Sequence, residues 1–159
     1  MREAPSEGWI KVNTDAGVIG INQIGLGVVA RDSGGRIVFA ASRKCLASWS
    51  PSMAEAMAIR WGVNLASQMN LERVQFESDS SVSISCFRNS QVLDPEIGTL
   101  VADILNDCSR FLAFDWRHVR RKGNFIAHEL AHCGSMSDTC VWSGTIPKFI
   151  QDLVSLASA

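Results

Sequence analysis

The chain has no long apolar run, no excess of either charge and no closely paired cysteines, and each absence removes a class of protein. No stretch approaches the roughly 18 apolar residues of a bilayer span. The start, Met1–Gly8, has no apolar h-region. No secretory signal is visible, and an intracellular setting, nuclear or cytoplasmic, is expected rather than secretion. A net charge of -1 and a pI near 6.3 exclude a strongly basic nucleic-acid protein. Any nucleic-acid affinity must come from a local patch or from a metal. The five cysteines, Cys45, Cys86, Cys108, Cys133 and Cys140, are odd in number and show no Cys-x-x-Cys spacing. They read as reduced, mostly buried thiols, which argues against a zinc site.

What is present fits one folded unit. A chain of 159 residues reads as one domain with a real core. Its 47% hydrophobic and 19% charged content separate it from disordered chains. Residues 1–8 are expected to form a flexible N-terminal arm and residues 9–156 a single domain. Trp9 to Asp15 alternates in polarity like a strand. Ala16 to Gly25 is Gly-rich and is expected to turn. Leu26–Arg31 and Arg36–Ala41 flank Asp32-Ser33-Gly34-Gly35, a strong hairpin signal. Helices are expected over Pro51–Met69, Ser80–Arg88, Pro95–Arg110 and Asn124–Cys133. Strands are expected over Val74–Asp79 and Phe114–Val119, and a short helix-like run in the tail. Three antiparallel strands followed by alternating helix and strand give an α/β class: a five-stranded mixed sheet flanked by helices.

Three carboxylates stand out within this order. Asp15 ends the first alternating stretch, Glu55 sits near the start of the first helix, and Asp79 ends a later strand. Two strand ends and one helix start can share one edge of a sheet. Like charges raise one another's pKa, and a divalent cation removes that penalty. Oxygen ligands completed by water and phosphate are what Mg²⁺ prefers. Each residue also has a plainer reading. Asp15 suits a turn, Ser52-x-x-Glu55 spells a capping box, and Asp79 suits an N-cap. Glu55 nevertheless shares the apolar stripe of its helix, a poor place for an unpartnered carboxylate. Trp61 and Trp116 read as core residues.

With these motifs in order, Trp9–Gly17, Gly25–Arg36, Ser50–Ala58, Val74–Ser80 and His118–Ala131, the chain resembles the ribonuclease H-like domain of the type 1 superfamily. The resemblance is to the reverse-transcriptase-like type abundant in plants, of the kind derived from retroelements, and extends to Trp142–Leu153. It implies a metal-dependent endonuclease that cuts the RNA strand of an RNA–DNA hybrid and leaves 5′-phosphate and 3′-hydroxyl ends. It implies a two-metal site of Mg²⁺, with Mn²⁺ as the substitute, held by Asp15, Glu55 and Asp79. A monomer is expected.

The pattern departs at the last helix, where the family has a fourth carboxylate. Ala127-His128-Glu129-Leu130-Ala131 puts His128 in that slot. Histidine is a softer, neutral ligand better suited to Mn²⁺ or Zn²⁺ than to Mg²⁺. Glu129 points about 100° away around the helix. His118 stands where the family often has a histidine that assists catalysis. Backbone groups of Ala16 and Gly17 are candidate readers of the ribose 2′-OH. Ser80, Asn89 and the basic run Arg117, Arg120, Arg121 and Lys122 are candidate nucleic-acid contacts. No basic, Trp-containing protrusion is visible between Cys86 and Pro95. A second reading keeps the fold without the catalysis, as a weak or inactive module that binds nucleic acid or protein.

Overall fold

Alternation from residue 9 onward does produce a strand, but a longer one than expected. The computed structural model describes residues 4–89, 94–133 and 138–158. Strand β1 runs Ile10–Gly20 and β2 runs Gln23–Arg31. They pair antiparallel almost without a break, so the chain between Ala16 and Gly25 is mostly strand. Only Ile21 and Asn22 turn, with Asn22 at a φ of 52°. Asparagine tolerates that left-handed region. The glycines here serve packing more than turning. A methyl group at Gly25 would overlap the carbonyl oxygen of Ala131, and one at Gly27 that of Ala127, both on helix α4 (Phe125–His132).

β3 (Ile37–Leu46) follows through the expected hairpin. The Asp32 carboxylate accepts from the N–H groups of Gly34 and Arg36, each at 2.9 Å, and Gly35 sits at φ 81°. Then come α1 (Pro51–Gln68), β4 (Arg73–Ser78), α2 (Ser81–Asn89), α3 (Pro95–Asp107) and β5 (Ala113–His118). The helix expected to reach Arg110 ends at Asp107, and Cys108–Arg110 tighten into a 3₁₀ turn. After α4 the tail forms β6 (Thr139–Ser143) and α5 (Lys148–Ser158).

The sheet therefore has six strands, not five, in the order β5-β4-β1-β2-β3-β6. β1, β2, β3 and β6 are antiparallel neighbours, while β4 and β5 add on parallel to β1. β6 is a five-residue edge strand. Its alternation, with Cys140 and Trp142 half-buried and Thr139, Val141 and Ser143 exposed, is too short to stand out from the following apolar run. Of the expected arm, residues 1–3 lie outside the described residues. Pro5 is buried, and the Trp9 N–H donates to Ser6 O at 3.0 Å. The segment expected to carry no protrusion includes residues 90–93, also outside the described residues.

Helices cover both faces of the sheet. On one face α1, α2 and α3 bury Val12, Val28, Phe39, Ile59, Val63 and Phe76. Trp116 belongs to this core as expected, its ring stacked 5.0 Å from Phe76 and 4.3 Å from Phe87. Trp61 is only half-buried at its edge. On the other face α4 and α5 bury Val29, Ala40, Ile126, Leu130 and Ile150. Cys86 and Cys108 are buried, the other three cysteines are half-buried, and all five are free thiols. Among the described residues, no helix is long and apolar enough to cross a membrane.

Candidate metal centre

The pairing of β1 with β4 explains why Asp15 and Asp79 meet. The parallel register ends at Thr14 opposite Ser78. Asp15 and Asp79 are the next residues on each strand. Asp15 therefore lies within β1, opposite Gly27 of β2, but at the end of its pairing with β4. The sheet edge expected from two strand ends is present, although only one strand ends there. Glu55 reaches the same edge from the second turn of α1. Its helix is capped by Ser50, whose hydroxyl accepts from the Met53 N–H at 3.2 Å, so the Ser52–Glu55 capping box does not form. The hydroxyl of Ser80, not Asp79, accepts from the Ser83 N–H at 3.2 Å at the start of α2. Asp79 thus has no capping duty there.

Asp15, Glu55 and Asp79 each offer an oxygen within 4.8 Å of the others. Asp15 is buried and its two partners half-buried. Burial, then the charge of Asp15, a hydrogen bond with it, and the charge of Asp79 push the Glu55 carboxyl up to about 9. Burial, then the charge of Asp15, also raise Asp79. Arg121 opposes that shift, with its Nε 3.9 Å from Asp79 Oδ2. Glu55 Oε2 is buried with no hydrogen-bond partner. Hard oxygen donors, mutual repulsion and an orphaned carboxylate oxygen together fit a divalent cation such as Mg²⁺ or Mn²⁺.

Two histidines flank the carboxylates. His128 on α4 places Nδ1 2.9 Å from Asp15 Oδ2. It is joined to the cluster through Asp15, and the close-packed ligand set among the described residues consists of the three acids. His118 ends β5 and places Nε2 3.2 Å from the backbone oxygen of Asp79. A third, His132, carried no expectation. Its ring lies 4.3 Å from that of His128, its Nδ1 is 2.8 Å from His128 O, and it covers Gly17. The i, i+4 spacing of His128 and His132 on one helix was the available signal.

A buried polar network fixes α4 against β1. The Asn124 side chain donates to Thr14 O at 2.9 Å. Asn13 donates to Asn124 Oδ1 and to Glu77 Oε1, each at 3.1 Å. Lys11 Nζ closes the set 3.4 Å from Glu77 Oε2. Replacing Asn124 by Ala removes the acceptor of one Asn13 amide hydrogen and the side-chain donor to Thr14 O, both in the interior, while Asn13 keeps Glu77. A loss of roughly 2–3 kcal/mol is expected, read as a lowered urea midpoint with an unchanged m-value.

The remaining candidate contacts divide by position. Ala16 and Gly17 continue β1 beyond Asp15, and Ser80 follows Asp79 directly. Arg121 and Lys122 lie in the 3₁₀ turn before α4 and line a cavity of about 300 Å³ with His128. Arg117 is half-buried in β5, and Arg120 is exposed beyond it. Asn89 closes α2, about 12 Å along that helix from Ser81 at 1.5 Å per residue, at the end away from Asp79.

A mixed sheet in this strand order, with helices on both faces, is a ribonuclease H-like fold. Solved structures share it. The RNase H1 of the halophilic archaeon Halobacterium salinarum NRC-1 is 19% identical, with a TM-score of 0.72 over 77% of this chain and 94% of that one. The N-terminal RNase H domain of rv2228c from Mycobacterium tuberculosis is 18% identical, with a TM-score of 0.72 over 79% and 98%. The compost-derived LC11-RNase H1, solved in complex with an RNA/DNA hybrid, is 21% identical, with a TM-score of 0.71 over 79% and 95%. The chain belongs to the reverse transcriptase-like family, whose model matches residues 13–134. No curated protein sequence matches it.

Proposed function

We propose that the protein is a metal-dependent endonuclease of the ribonuclease H type, cutting the RNA strand of RNA–DNA hybrids to leave 5′-phosphate and 3′-hydroxyl ends. The observation that carries this is the close-packed, mutually repelling trio Asp15, Glu55 and Asp79, with Glu55 Oε2 buried and unsatisfied. The hybrid held by LC11-RNase H1 on the same fold supports the choice of substrate. The three carboxylates would hold Mg²⁺ or Mn²⁺ as a two-metal site, with His128 a further ligand beside Asp15. Bound there, the ions supply an activated water and stabilise charge on the leaving 3′ oxygen.

The chain's own groups do the rest. The backbone of Ala16 and Gly17 meets the ribose 2′-OH, which separates RNA from DNA. Arg117, Arg120, Arg121 and Lys122, with Ser80, meet phosphates and fix position rather than sequence. Asn89 makes a more distant contact. His118, held at the Asp79 carbonyl, moves a proton at the cluster's rim. Residues 9–156 act as one unit and as a monomer. One observation favours a second reading, a weak or inactive binding module: Asp15 Oδ2 is already engaged by His128.

Cleavage of a labelled hybrid in Mg²⁺ and in Mn²⁺, with Asp79→Asn as control, separates the two. The expected result is cutting by the wild type and none by the variant. Activity in Mn²⁺ alone marks His128 as the weak ligand. Binding without cutting in either metal supports the binding module.

A further inference from the structure

A cavity of about 560 Å³ lies away from the carboxylates, on the α1 face beside strand β3. Met57, Arg60, Trp61 and Asn64 line it from α1. Their spacing of three, four and seven residues puts all four on one side of that helix. Ser42 faces the opposite side of the sheet, its hydroxyl donating to Leu130 O at 2.7 Å. By alternation, Arg43 next to it faces α1. Lys44, one residue on, pairs with Gly25 and faces α4, and the half-buried Trp49 completes the wall.

The chemistry of this cleft differs from that of the protein as a whole. Arg43 and Arg60 stand against one acid, Asp138, among the lining residues, on a chain of net charge -1. Neither cation forms an ion pair among the described residues. Guanidinium groups beside indole rings present charge for phosphate and flat faces for bases or sugars. The cleft is also in line with the carboxylate edge. Ala16, the residue after Asp15, pairs with Leu26, and Leu26 pairs with Arg43. Arg43 is thus two strands away, about 10 Å at 4.8 Å per strand. That is about three nucleotides at 3.4 Å of rise.

We propose that the cleft formed by Arg43, Trp49, Arg60 and Trp61 is a second nucleic-acid subsite, holding a strand of the hybrid a few nucleotides from the cut. It rests on the nuclease reading for its substrate, but its test does not require cutting. Binding of a labelled RNA–DNA hybrid is measured in metal-free buffer over a range of salt. The double variant Arg43→Gln/Arg60→Gln is compared with the wild type and with Arg43→Lys/Arg60→Lys. The glutamine pair is expected to weaken binding at least about tenfold and to lower the slope of log affinity against log salt by about two, one per cation. The lysine pair keeps the slope, which shows that charge and not folding is being read. An unchanged slope in the glutamine pair overturns the subsite, as does a wild type that binds no hybrid. A slope change in a protein that cuts nothing in Mg²⁺ or Mn²⁺ upholds the subsite and removes the nuclease reading alone.

Discussion

Replacing Glu55 by Gln is expected to raise the melting temperature of the metal-free protein at pH 8 and to abolish both metal-dependent stabilisation and hybrid cleavage. Glu55 is held up to about 9 by burial and by Asp15, against an ordinary value near 4.3. Between those two values the folded protein binds more protons than the unfolded chain. Stability therefore falls as pH rises through that window. The contribution is intact below about pH 4.3 and gone once the folded group ionises near pH 9. At about 1.4 kcal/mol per unit, the loss reaches on the order of 5 kcal/mol, shared with Asp79, which is also raised. A glutamine keeps the shape and removes the charge, so the variant should show little of this slope. At pH 8 it should melt several degrees higher, since about 1 kcal/mol moves the midpoint by roughly 2–4 °C at this chain length.

The same substitution removes the reason for a cation to bind. In the wild type, Mg²⁺ or Mn²⁺ at about 100 times its dissociation constant adds about 2.7 kcal/mol. Chelation should reverse that gain. In Glu55→Gln the gain should be small. Melting curves with EDTA, Mg²⁺ and Mn²⁺ at pH 5 and pH 8 check every part of this. A wild type whose midpoint ignores both pH and metal would show that the trio is an ordinary acidic patch.

The parts of the fold that were legible are those in which local pattern and tertiary role agree. The Asp32–Gly35 hairpin, the α1 stripe and the order of helices follow from turn chemistry and periodicity alone. The trio was legible because acids near strand ends and a helix start can only gather in a few places. Other features required knowledge of neighbours. Gly17, Gly20 and Gly25 look like a turn in sequence, but Gly25 is glycine because a helix backbone lies against it. Nothing local records that helix. The sequence spells a capping box at Ser52–Glu55, whereas the helix starts two residues earlier and is capped by Ser50. The cationic cleft combines Arg43 and Arg60 from two elements joined only by packing, so neither periodicity nor charge runs reveal it. His132 gains meaning only when α4 is laid along β1, four residues on from His128.

That laying of α4 on the sheet can itself be tested. Gly27→Ala is expected to destabilise the protein by about 3 kcal/mol and to move His128 off Asp15. The added methyl would overlap Ala127 O and come within 2.5 Å of Ala131 N, both backbone atoms of a helix buried against β1 and β2. Neither can rotate aside, so the helix itself must shift. Overpacking of this kind costs about 1–3 kcal/mol when side chains can adjust, and rigid backbone on both sides places this case at the upper end. Gly27 pairs with Asp15 across the β1–β2 ladder, and Ala127 precedes His128. The displacement is therefore delivered at the 2.9 Å contact between His128 and Asp15. Gly17→Ala provides the contrast on the same face. The three atoms nearest its methyl all belong to the His132 side chain, the first at 2.6 Å, Cε1. That ring is exposed and can swing outward, so a change of about 0.5 kcal/mol or less is expected. Urea midpoints of the two variants, with the titration of His128 followed by NMR, measure both effects. Equal midpoints would mean that α4 does not lie on Gly27, and that His128 reaches Asp15 by some other route.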